Sequence, residues 1–232
     1  MTGEEQTGRV VVLDTETTGL SPQEDRIVEI GCVELLGKVV GEEKQWYLNP
    51  ERPIPEEASR IHGITDAMVM GKPRFGEIVR EFLKFIGDSP LVIHNASFDL
   101  GFLNAELKRV RKGTLAAERA IDTMVLARRR FPGAAANLDA LCRRLGVDNS
   151  TRTRHGALVD AHLLAQVYVL LEKDDSRSGL ALAGERKAVA VKLDGFPARQ
   201  WPVPPGEEQA HEQLLDRLDL ESGGSIWRRL MP

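Results

Sequence analysis

Two carboxylates set two residues apart, Asp14 and Glu16, follow the uninterrupted apolar run Val10–Leu13. Val-Val-Val-Leu has the composition of a buried strand, and Thr18-Gly19-Leu20-Ser21-Pro22 is turn chemistry that ends it. Side chains at i and i+2 of an extended segment share one side. Asp14 and Glu16 therefore place both charges on one face at the end of a core strand. Two such anions repel unless something cationic sits between them. Carboxylate oxygens are preferred ligands of hard divalent ions, Mg²⁺ and Mn²⁺ in particular. A lone Asp-x-Glu pair favours the plainer reading of a polar strand end with solvated acids, so the remaining motifs must decide.

A second short apolar strand over residues 91–94 breaks at Asn95, and a helical pattern through Leu100, Leu103 and Leu107 carries Asp99 on its first turn. A third motif, His155-Gly156-Ala157-Leu158-Val159-Asp160, opens an apolar helix over residues 161–171. Five residues along one α-helix turn through about 500°, about 140° off alignment, so a fully helical segment separates the two polar side chains. Gly156 lets the chain bend, which puts His155 on a loop able to fold back toward Asp160. Asp14, Glu16, Asp99, Asp160 and His155 then share a plausible common site at the edges of apolar elements. Imidazole titrates near neutrality, which suits His155 to take a proton from an attacking water. His94, close in sequence to Asp99, is its rival and is expected to support the site. His162 follows Asp160 by two and is expected to face away.

The elements that must position these groups follow from periodicity. Residues 9–14, 27–36 and 38–48 read as three successive strands, with Gly37 at the turn between the last two. Residues 75–86 form an amphipathic helix, apolar at 75, 78, 79, 82, 83 and 86. After the strand at 91–94 come a helix over 98–110, a short strand near 119–121 and a helix over 123–130 capped by Asp122. A further helix over 137–145 is capped by Asn137 and stopped by Gly146. Three strands and then alternating helix and strand make an α/β chain whose acids fall at strand ends, where ligands of such sheets gather.

These segments resemble the motifs of the DEDDh 3′→5′ exonucleases, a branch of the ribonuclease H-like superfamily. The likeness is greatest to the epsilon (proofreading) subunits of bacterial DNA polymerase III. It is carried by Asp14-Thr15-Glu16-Thr17-Thr18-Gly19, Ile61-His62-Gly63-Ile64, Ile93-His94-Asn95, Phe131-Pro132-Gly133, Asn137–Cys142, His155–Ala161 and Gly223-Gly224-Ser225-Ile226-Trp227. The resemblance implies a mixed five-stranded sheet flanked by helices, and hydrolysis of DNA from its 3′ end with two divalent ions, Mg²⁺ or Mn²⁺. It implies Asp14 bridging both ions, Glu16 and Asp160 completing the ion on the water side, and Asp99 supporting the second through water. Thr15, His62 and Asn95, with Glu16 and Asp160, are the implied substrate contacts. The same carboxylates serve RNA, so a free-standing exonuclease acting on RNA or repair intermediates is the enzymatic alternative. A non-enzymatic stabiliser would show eroded ligands, and all five positions are intact.

The 232 residues allow one good-sized domain and an appendage, and a hydrophobic content of 42% suffices for its core. Cys32 and Cys142 lie in apolar contexts without metal-ligand spacing, so buried thiols in a reducing compartment are expected. No apolar run approaches a membrane span and residues 1–7 do not match a signal peptide, so a cytoplasmic protein is expected. The net charge of −4 rules out gripping DNA by global charge. Among the basic stretches, Arg152 and Arg154 are the better DNA candidates because they adjoin His155.

The exonuclease domain is expected over 8–174, after a disordered 1–7. Residues 175–206, rich in Ser, Gly, Pro and charge, read as a flexible linker. Leu214, Leu215, Leu218 and Leu220 then mark an amphipathic helix too short to bury its own apolar face. By resemblance the segment 207–232 binds the polymerase alpha subunit. Leu180 and Leu182 keep the apolar anchors of a sliding-clamp peptide, but Arg177 stands where that peptide has Gln.

Overall fold

The computed structural model describes residues 8–150, 152 and 154–178, together with Gly206, Gln213 and Asp216. Contacts divide the chain into one unit over residues 1–183 and another over 184–232, and the site lies in the first. Leu180, Leu182 and nearly all of the segment 207–232 are outside the described residues. Among the described residues no helix is long and apolar enough to cross a membrane.

Five strands form one mixed sheet in the order β3-β2-β1-β4-β5. Strand β1 (Arg9–Thr17) pairs antiparallel with β2 (Ile27–Leu36), which pairs antiparallel with β3 (Val39–Tyr47). On its other edge β1 runs parallel to β4 (Leu91–Ile93), and β4 parallel to β5 (Ala120–Asp122). This is the mixed five-stranded sheet that the resemblance implies.

Among the described residues of this unit, seven helices connect and cover the strands: α1 (Glu56–His62), α2 (Asp66–Val69), α3 (Phe75–Ile86), α4 (Ala96–Arg109), α5 (Thr123–Arg130), α6 (Leu138–Leu145) and α7 (Ala157–Ser178). The alternation along β1 decides what each face meets. Val11 and Leu13 join Phe75, Phe82 and Phe102 in the core under α3 and α4, whereas Val12 packs with Leu141, Leu164 and Val167 of α6 and α7. Both faces are covered, which is why the run ahead of Asp14 carries no polar residue.

The capping residues behave as their chemistry dictates. Asp122 accepts a hydrogen bond from the Met124 amide at 2.8 Å, and Asn137 from the Ala140 amide at 2.8 Å. Gly146 closes α6 in the left-handed region at φ 72°.

Three elements depart from their expected bounds by two residues or more. β1 continues to Thr17 because β2 still pairs with Thr15 and Glu16 before the register shifts. Helix α4 starts at Ala96, two residues early, since Asn95 takes the left-handed conformation (φ 65°) and Asp122 accepts from the Ala96 amide at 3.0 Å. Helix α7 begins at Ala157 and runs to Ser178, so positions 175–178 of the stretch read as linker are helical. Each residue added to an existing helix gains a hydrogen bond. Helices α1 and α2 were not anticipated. They are short, and each buries one side chain, His62 and Val69, which leaves no periodicity to read.

Candidate functional site

Even-numbered side chains of β1 face α7, which puts Asp14 and Glu16 on the side from which Asp160 projects. One glycine makes this approach possible. Gly31 pairs with Asp14 across β2, and a Cβ there would meet the Ala157 backbone at 2.3 Å. The first turn of α7 can therefore close directly on the sheet. Buried Glu29 fixes it there by accepting the Ala157 amide through Oε2 at 3.1 Å. The sequence reading missed Glu29. Nothing in the sequence links it to a helix start 128 residues away.

His155 lies on the loop ahead of α7, and its amide donates to the Ile61 carbonyl at 3.2 Å. The bend at Gly156 has the expected consequence: His155 Nδ1 stands 3.3 Å from Asp160 Oδ2. Glu16, His155 and Asp160 offer ligand atoms that lie within 4.8 Å of one another. Asp99 enters from the other side of the sheet, on the first turn of α4. Thr15 faces that side and donates its hydroxyl to Asp99 Oδ1 at 2.7 Å. Alternation along β1 thus serves both halves of the site.

The electrostatics follow from the crowding of these acids. Burial, then the charges of Asp99, Glu16 and Asp160, hold the Asp14 carboxyl far above its usual range. Burial and the Asp160 carboxylate push Glu16 up to about 8, and burial pushes Asp99 up to about 7 against the Thr15 hydrogen bond. Carboxyls buried this close together resist ionisation unless cations join them. A hard divalent ion fits these oxygen donors.

A stability prediction follows directly. Glu16 and Asp99 titrate higher in the folded chain than their ordinary values near 4, so the folded state holds protons that the unfolded state releases. That stabilisation is complete below the unfolded pKa and is lost as pH rises through about 7 for Asp99 and about 8 for Glu16. In EDTA the melting temperature should fall between pH 5 and pH 8.5, by the equivalent of a few kcal/mol. Millimolar Mg²⁺ should restore most of the loss at the upper end. A melting temperature in EDTA that stays flat or rises over this range contradicts the assignment.

Beside the carboxylates opens a cavity of about 490 Å³ whose lining includes Glu16, Gly19, Leu20, Ile61, His62 and Phe98. Leu20 and Ile61 stay exposed on its wall, 84% and 55% accessible, and give it an apolar surface. Buried His62 accepts the Ile64 amide on Nδ1 at 3.0 Å, which places its proton on Nε2. Burial lowers the pKa of the ring, against a backbone hydrogen bond with Thr17. Leu20, Ile61 and Phe98 are the site residues missed in the sequence. Ile61 precedes His62 in the motif Ile61–Ile64, but α1 carries no apolar periodicity that marks its exposure in the sequence.

The remaining candidates are placed as follows. Asn95 is exposed at the start of α4, near Asp99 in sequence but not among the residues lining the cavity. His94 is part-buried, its Nδ1 2.9 Å from Thr123 Oγ1, and burial lowers its pKa. His162 faces away and meets Glu43 at 2.6 Å. Arg154 is exposed, whereas Arg152 is drawn inward onto Asp160. Cys32 and Cys142 are buried free thiols.

Residues 11–168 match the family model described as Exonuclease (RNase_T). The chain is 55% identical over 232 residues to DNA polymerase III subunit epsilon of Rickettsia prowazekii (strain Madrid E), covering 92% of this chain and 98% of that one. It is 38% identical over 236 residues to the subunit of the same name from Escherichia coli (strain K12), covering 95% and 97%. Among solved structures it resembles exonuclease X in complex with 5′ overhanging duplex DNA. That match has a TM-score of 0.56 at 30% identity and covers 72% of this chain and 93% of that one.

Proposed function

The chain belongs to the exonuclease family of DNA polymerase III epsilon subunits, and we propose that the carboxylate cluster at the end of β1 is its hydrolytic centre. The protein is a 3′→5′ proofreading exonuclease of polymerase III, in a family that works with divalent metal ions. The observation that carries the assignment is the convergence of Asp14, Glu16, Asp99 and Asp160 beside a largely apolar cavity, with the carboxyls of Asp14, Glu16 and Asp99 held above their usual range.

Asp14, Glu16, Asp160 and Asp99 would hold two divalent ions, Mg²⁺ or Mn²⁺, which would supply charge stabilisation of the scissile phosphate and the departing 3′ oxygen and a more acidic attacking water. His155, exposed on its loop beside Asp160, takes the proton of that water. Thr15 keeps Asp99 turned into the site through its hydroxyl. Leu20, Ile61 and Phe98 receive the base and sugar of the terminal nucleotide, and His62 stands in the cavity wall beside them. Asn95 adds a contact from the start of α4.

We assign residues 8–174 to the catalytic domain and 207–232, which contains Trp227, to binding of the polymerase alpha subunit. A weak sliding-clamp contact at Leu180 and Leu182 completes the set. The free-standing alternative is not favoured, because the likeness to the Rickettsia subunit spans nearly all of both chains.

A mispaired terminus is already unstacked, so drawing it into the cavity avoids a cost of a few kcal/mol. The isolated chain should therefore release 5′-mononucleotides from mispaired 3′ ends at least about 10-fold faster than from paired ends. Equal rates on the two ends, measured without polymerase, would refute this origin of selectivity. Faster digestion of RNA than of DNA would restore the free-standing alternative.

A further inference from the structure

Arg152 touches three polar partners at once. Its Nε and Nη2 grip the two oxygens of Asp160 at 2.5 and 2.6 Å, and Nη1 donates to Asp139 Oδ1 at 2.7 Å. The same Nη2 lies 2.7 Å from His155 Nδ1. A guanidinium has only donors and keeps its charge. Nδ1 must therefore be the accepting nitrogen of His155, and its lone pair is engaged. Both oxygens of Asp160 are engaged as well.

That arrangement is incompatible with the working site. Asp160 cannot present the same oxygens to a divalent cation while a second cation grips them, because the two positive charges repel at contact distance. His155 cannot take a proton through a nitrogen that already accepts one. The fork is well made for holding, since bidentate arginine–carboxylate pairs are the strong ones, and both side chains are buried (7% and 5% accessible). Asp139 differs. It is 44% accessible, is steadied by Asn149 Nδ2 at 3.1 Å, and offers Arg152 a seat outside the carboxylate cluster.

We propose that Arg152 is an exchangeable latch between Asp160 and Asp139. In the metal-free chain it neutralises Asp160 and occupies the basic nitrogen of His155. When Asp160 is given over to a metal ion, Arg152 releases both groups and stays on Asp139. The base is therefore available only in a loaded site. This inference rests on Asp160 being a metal ligand.

The test is calorimetric titration of the full chain with Mn²⁺ in the absence of DNA, with melting curves in EDTA. Arg152→Gln should bind Mn²⁺ about 10-fold more tightly, the scale of removing a charge-assisted competitor, and should melt lower in EDTA. Asp139→Asn should weaken Mn²⁺ binding several-fold by removing the second seat, and should have no effect in the Arg152→Gln background. Arg152→Lys keeps the charge without the fork and should bind Mn²⁺ with intermediate affinity, which preserves the test if Arg152→Gln does not fold. Unchanged or weaker Mn²⁺ binding by Arg152→Gln, or by Arg152→Lys in its place, would overturn the latch and leave Arg152 as a fixed support. Asp160→Asn separates the two levels of inference. Undiminished Mn²⁺ binding by that variant removes the ligand assignment on which the latch depends.

Discussion

Asp14→Ala should lower removal of 3′-terminal nucleotides by at least about 10⁴-fold, the loss of several kcal/mol of charge stabilisation. Asp14 is the member of the cluster most surrounded by like charge, from Asp99, Glu16, Asp160 and Glu29. That crowding marks the position where a cation gains most from the chain. The same crowding makes the fold robust to the change. Removing a buried carboxyl whose ionisation the site opposes relieves that crowding, so the variant in EDTA should melt at or above the wild-type temperature. Full-length protein, a 3′-mispaired primer and saturating Mg²⁺ suffice for the assay. A folded Asp14→Ala chain with near wild-type hydrolysis would dismiss the carboxylate cluster as the hydrolytic centre.

His155→Ala should reduce turnover by about 10²–10⁴-fold, the range for losing a positioned general base, while the carboxylates continue to bind metal. His155 is exposed on a loop before α7, within 3.3 Å of Asp160, where a water at the cluster can reach it. His94 is the histidine to compare with it. Its Nδ1 is tied to Thr123, and burial disfavours its charged form. His94→Ala should therefore cost much less, by loosening the corner where β4 meets α4. Single-turnover rates for the two variants give the ranking. A larger loss from His94→Ala would move the base to that residue.

Elements bounded by local chemistry were legible in the sequence. Asp122 and Asn137 cap helices through amides two and three residues on, and Gly146 ends α6, all within reach of pattern reading. Asp14 and Glu16 share a face because a strand has period two, and the Gly156 bend follows from a helix having another period. Contacts closed by the fold were not legible. Thr15 meets Asp99 across 84 positions, and Glu29 meets the start of α7 across 128. No local signal encodes either pair. Helices α1 and α2 escaped for a different reason: one buried side chain apiece gives no apolar stripe, yet α1 supplies Ile61 and His62 to the cavity wall. Arg152 was recognised by its neighbour His155 and read as facing DNA, whereas the buried Asp160 carboxylate holds it inside.

The central claim is that the acids at the end of β1 form one cation site. Direct Mn²⁺ binding to the full-length chain, to Asp14→Asn and to Glu16→Gln tests it without reliance on DNA or activity. Wild type should bind two equivalents, and both variants, folded by circular dichroism, should lose most of that affinity. Undiminished Mn²⁺ binding by folded Asp14→Asn would contradict the account.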